Sequence, residues 1–70
     1  MENKAEIAKQ FCITLQMTRE YAEELDSLEY TKNGYEEIVT ATFKDGYVKK
    51  INVGMDSGIA MIRDIIKGLG

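Results

Sequence analysis

The sequence contains no histidine, no proline and only one cysteine. Without histidine the chain lacks the commonest general base, the Ser-His and Cys-His nucleophile pairs and the commonest metal ligand. A lone cysteine, Cys12, rules out an internal disulfide and fits a reducing compartment. It lies in an amphipathic stretch with no activating partner in view, the setting of a small core residue. Long apolar runs are missing too. None approaches the roughly 18 residues that a membrane span needs, and the start MENKAEIAKQ has no basic segment followed by an apolar one. These absences point to a cytoplasmic protein.

The 70 residues are 44% hydrophobic and 30% charged, with no low-complexity run, which is a globular composition. The length allows one domain, residues 1–70, near the lower limit at which a single core holds without metal, disulfide or partner.

Two dipeptides, Asn33-Gly34 and Asp45-Gly46, interrupt runs of β-branched and aromatic residues and predict two hairpins, hence a three-stranded antiparallel meander over residues 28–53. For the second hairpin, a three-residue loop with Gly46 left-handed as a bulge pairs Phe43 with Tyr47, Ala41 with Lys49 and Val39 with Ile51. This register makes one face nearly all apolar, and a one-residue slip would exchange the faces of the strand. For the first, a two-residue turn of type I′ at Asn33-Gly34 pairs Lys32 with Tyr35, Tyr30 with Glu37 and Leu28 with Val39. The three-residue alternative would set Glu29 against Glu37, and like charges directly opposite destabilise. The predicted covered face is Leu28, Tyr30, Tyr35, Val39, Ala41, Phe43, Tyr47, Ile51 and Val53. Glu29, Thr31, Glu36, Ile38, Thr40, Thr42, Val48, Lys50 and Asn52 should meet water.

Apolar residues recur at helical spacing before the meander. Ile7, Ala8, Phe11, Leu15, Ala22 and Leu25 share one stripe and predict a helix over residues 3–26, begun by Asn3 or Glu2, with Ser27 just past its end. Ile13 and Met17 fall on the opposite side and should be exposed. After the meander, Asp56 or Ser57 is a good N-cap for a helix over residues 58–67, with Gly68 as its stop. Its stripe is Ile59, Ile62, Ile66 and Leu69, widened by Met61 and Ile65. The fold class is therefore α+β in the order α-β-β-β-α, with both helices packed on one face of the sheet.

Charge is unevenly spread. Residues 20–37 carry Glu20, Glu23, Glu24, Asp26, Glu29, Glu36 and Glu37 against Lys32 alone, within a net charge of −3. Carboxylate pairs do acid and base work only when burial or mutual repulsion drives their pKa values apart in a cleft. These pairs read as a solvated face, and no loop of alternating oxygen ligands suggests a metal. The segment 54–58 lacks the spacing of phosphate-binding loops, so Asp56 and Ser57 read as helix caps. No catalytic residue, metal or cofactor is expected, and the chain is read as a non-enzymatic protein.

The α-β-β-β-α order resembles the double-stranded RNA-binding domain. That family reads A-form RNA with its first helix, the loop between its first two strands and a lysine cluster at the start of its second helix. Here the loop is Thr31-Lys32-Asn33-Gly34-Tyr35, without the family's Gly-Pro and His, and the helix start is Asp56-Ser57-Gly58-Ile59, without lysines to neutralise phosphates. The resemblance implies the fold and not direct nucleic-acid binding. A second resemblance, of character and not of motif, is to the small acidic inhibitors of phages and mobile elements, anti-CRISPR proteins among them. It implies a protein partner that handles nucleic acid, a nuclease for instance, met by Glu20, Glu23, Glu24, Asp26, Glu29, Glu36 and Glu37. Ile13 and Met17 would serve as apolar anchors. Two other expectations stand beside it. One is a homodimer built on the outer face of the first helix or on the edge strand 47–53, and the other is a divergent RNA binder using Lys44, Lys49 and Lys50.

Overall fold

Asn3 opens the first helix by accepting the Glu6 N–H on its side-chain oxygen at 3.0 Å, which satisfies one of the otherwise unpaired donors of the first turn. The computed structural model describes residues 3–70, so the alternative start at Glu2 lies outside the described residues. The elements are α1 (Lys4–Gln16), β1 (Leu25–Asn33), β2 (Glu36–Phe43), β3 (Val48–Asn52) and α2 (Gly58–Leu69). The three strands form one antiparallel meander in the order β1-β2-β3.

The first helix is shorter than its periodicity predicts. It ends at Gln16, and residues 17–24 form turns before Leu25 enters β1. Thr18 stops it: its hydroxyl donates to the Leu15 carbonyl at 2.6 Å and accepts the Tyr21 N–H at 3.3 Å, displacing the regular backbone ladder. Gln16 then ties the next strand in place, its Nε2 donating to the carbonyls of Leu25 at 2.9 Å and Asp26 at 3.1 Å. Leu25 pairs with Phe43 and is fully buried, while Asp26 is the extra residue of a bulge between Leu25 and Ser27.

The second hairpin has the predicted register. Val39 faces Ile51, Ala41 faces Lys49, the Phe43 N–H donates to the Tyr47 carbonyl at 2.8 Å, and Gly46 has φ 92. The first hairpin differs. Asn33 pairs with Glu36, Lys32 with Glu37, Tyr30 with Val39 and Leu28 with Ala41. The loop is Gly34-Tyr35, and Gly34, at φ 65, occupies the first central position, where a type II′ turn places glycine. The slip is two residues, so the faces survive. It sets Lys32 opposite Glu37 and leaves Tyr35 fully exposed. Tyr47 is also mostly exposed, so the covered face stops short of both tyrosines.

One core holds the fold: Ala8, Cys12 and Leu15 of α1 and Met61, Ile65 and Leu69 of α2 pack on Leu25, Leu28, Val39, Ala41, Ile51 and Val53. Each large side chain buried here contributes roughly 1.5–3 kcal/mol. Both helices therefore lie on one face of the sheet. The buried side of α2 is rotated from the predicted stripe, leaving Ile59 and Ile66 exposed. Gly68 explains the rotation. It is part of the helix and not its stop, and a Cβ there would lie 2.6 Å from Ile51 Cγ1, so its lack of side chain lets α2 settle directly on β3. Ser57 caps α2, accepting the Ala60 N–H at 3.2 Å, and Lys49 donates to the Gly68 carbonyl at 3.1 Å near its other end.

Both helices start at the same end of the sheet. Lys4 reaches Glu37, as does the loop that leads into α2, while Gln16 lies against Leu25 and Gly68 against Ile51. They run parallel. Among the described residues no helix is long and apolar enough to cross a membrane.

Candidate functional site

Strand geometry divides the predicted carboxylates into separate groups. Glu20, Glu23 and Glu24 are exposed on the turns after α1, and Asp26 is exposed on the bulge beside them. Glu29 is exposed on the open face of the sheet. Glu36 sits across from Asn33 beside the first hairpin loop, roughly 23 Å of strand away from Phe43 at about 3.3 Å per residue. Glu20, Glu23, Glu24 and Asp26 are thus gathered at one end of the molecule. Glu29 and Glu36 stand apart from them.

Glu37 has an internal role. It lies on the helix-covered side of β2, where one oxygen accepts from Lys4 Nζ at 2.8 Å and from the Tyr30 hydroxyl at 2.5 Å, and the other from the Met55 N–H at 3.3 Å. Its side chain is only 15% exposed. Lys4 and the Tyr30 hydroxyl hold the Glu37 carboxyl down to about 2, and the same hydrogen bond pushes the Tyr30 phenol up to about 12. A phenol so raised is a poor acid, and a carboxylate so stabilised is a poor base. The group works as a clamp, joining the first turn of α1, both strands of the first hairpin and the loop before α2. Met55, in that loop, has φ 66, a conformation few side chains adopt. Beside the clamp, a hydrogen bond to Asp64 raises the Asp56 carboxyl above its ordinary range. Asp56 Oδ2 is buried without a hydrogen-bond partner among the described residues.

The acidic end has a feature that the sequence did not reveal. The Lys44 N–H donates to the Glu24 carbonyl at 2.8 Å and draws the second hairpin against the turns after α1. Between them lies a notch of about 280 Å³ lined by Glu23, Glu24, Phe43, Lys44, Asp45 and Tyr47. The Phe43 and Tyr47 rings are 5.9 Å apart, inclined at 39°. Three acidic residues and Lys44 therefore share the notch with two aromatic rings, an acidic excess suited to a guanidinium or ammonium group. The pairing of Phe43 with Tyr47 was legible in the sequence. Their approach to Glu23 and Glu24 was not, because residues 17–24 continue the helical periodicity.

No family model, curated protein or solved structure matches the chain.

Ile13 and Met17 are exposed at 47% and 82%, on the side of α1 opposite the sheet. Met17 caps the C-terminal end of α1, where the acidic turns begin. No basic residue lies in the last turn of α1, so its partial negative charge is not offset there. Cys12 is buried, and burial pushes its thiol up, away from the reactive thiolate.

Proposed function

We propose that this chain is a non-enzymatic, cytoplasmic protein-binding module, a small inhibitor of the anti-CRISPR kind that docks its acidic end on the basic surface of a nucleic-acid-handling enzyme. The observation that carries this reading is the notch, where Glu23, Glu24 and Asp45 outnumber Lys44 beside the exposed Tyr47. An arginine or lysine that normally holds a phosphate would find carboxylates and an aromatic face there, with the cation–π part worth roughly 0.5–2 kcal/mol. Glu20, Glu23, Glu24 and Asp26 form no ion pair among the described residues, so their charge is open to a partner. Ile13 and Met17 supply exposed apolar area on α1, as the desolvated centre of an interface requires. Direct nucleic-acid binding is not part of the proposal: Asp56 and Asp64 meet at the start of α2, where a duplex RNA binder needs cations.

The test is capture of partners from the native cell with the full chain and with Glu20→Lys/Glu23→Lys/Glu24→Lys. A partner retained by the first and lost by the second supports the proposal, as does affinity that falls as salt rises. Affinity indifferent to ionic strength would sink the charge-based version.

A further inference from the structure

The helical layer carries a second apolar surface, between α1 and α2. A groove of about 330 Å³ runs between the helices, lined by Ile7, Phe11 and Thr14, by Glu6 and Gln10, and across from them by Ile62. Ile59 and Ile66 continue this wall outward along α2 at 69% and 54% exposure. We propose that the groove is the seam of a homodimer in which α2 packs antiparallel against α2 of a second copy.

The spacing of the isoleucines is self-complementary. Ile59, Ile62 and Ile66 follow the three-then-four rhythm of a helix–helix seam. Reversed about a twofold axis near Ile62, Ile59 of one copy meets Ile66 of the other, with the exposed Arg63 on the outer margin of the stripe. Charge fits the same arrangement. Because α1 and α2 run parallel, an antiparallel copy brings its last turn of α2 over the first turn of α1. Glu6 is the acidic residue of that first turn and Lys67 the basic residue of that last turn, so opposite charges meet twice by symmetry.

Sedimentation equilibrium on the full chain, from roughly 1 µM to roughly 1 mM, tests the proposal across the affinities such an interface spans. The expected result is a mass rising from 7.9 kDa toward twice that value. Ile66→Glu and Ile59→Glu, at exposed positions, should hold the chain monomeric with its circular dichroism unchanged. Glu6→Lys and Lys67→Glu should each weaken the dimer at least about tenfold, while the double swap restores it. A monomer across the whole range overturns the proposal and leaves the groove to another occupant. A dimer indifferent to Ile59→Glu and Ile66→Glu places the seam elsewhere, and failure of the double swap overturns the antiparallel arrangement.

Discussion

At the scale of the residue, Gly68 shows how one missing side chain fixes the seat of a helix. Glycine inside a helix normally costs roughly 0.5–1 kcal/mol relative to alanine. Here Gly68→Ala should destabilise, by ~1–3 kcal/mol, because the new methyl meets Ile51 at 2.6 Å. Urea unfolding measures the sign, and a stabilised variant would show that α2 can move off β3 freely. Glu37 and Asp56 respond to pH in opposite senses. Glu37 has a folded pKa of about 2, below its ordinary 4.5, so its contribution is present above the ordinary value and is lost as pH falls through about 2. The stability gap between the native chain and Glu37→Gln should close over that acid range. Asp56 is raised from 3.8 by Asp64, so its contribution is present below that value and is lost as pH rises through the raised one. Asp56→Asn keeps a permanent donor toward Asp64. It should stabilise the chain at neutral pH and change little near pH 3, as thermal melts at the two pH values would reveal.

At the scale of the element, the turns between α1 and β1 separate what the sequence announces from what it conceals. The meander, its second register and the face shared by Val39, Ala41 and Ile51 were legible because glycine turns and alternation both demand them. The end of α1 was not, since Ala22 and Leu25 fit the same stripe as Leu15 and only the Thr18 hydroxyl breaks the ladder. The first hairpin slipped by two, turning on Gly34-Tyr35 and not on Asn33-Gly34, and the alternation of faces is the same in either register, so the pattern could not choose between them. The candidate site suffered twice. Glu37 reads as one more surface acid, while Phe43, Asp45 and Tyr47 gain their meaning only when Lys44 meets Glu24. Gln16→Ala tests this part of the structure. On a helix over residues 3–26 it would be an inert surface change, whereas loss of its bonds to Leu25 and Asp26 should cost roughly 0.5–1.5 kcal/mol for each. Denaturant midpoints distinguish the two cases.

At the scale of the whole molecule, a sheet of three strands leaves both edges open. The Phe43 to Tyr47 and Val53 to Glu37 hydrogen bonds direct the backbone of alternate residues of β3 toward β2, which turns the N–H and C=O groups of Val48, Lys50 and Asn52 outward. Lys50 is the charge that guards this edge. Lys50→Val should leave the folded chain intact and promote edge-to-edge aggregation on warming, measured by light scattering. Scattering equal to that of the native chain would show that the edge is shielded in some other way.

The end of α1 has a consequence for motion in solution. Its last carbonyls aim toward a stretch already crowded with carboxylates, and no cation in that turn balances them. The particle therefore carries its excess negative charge off-centre, at the end where Glu20, Glu23, Glu24 and Asp26 gather. A positively charged body drifting nearby exerts a torque on such a particle before any atoms touch, turning the Tyr47 notch to face it.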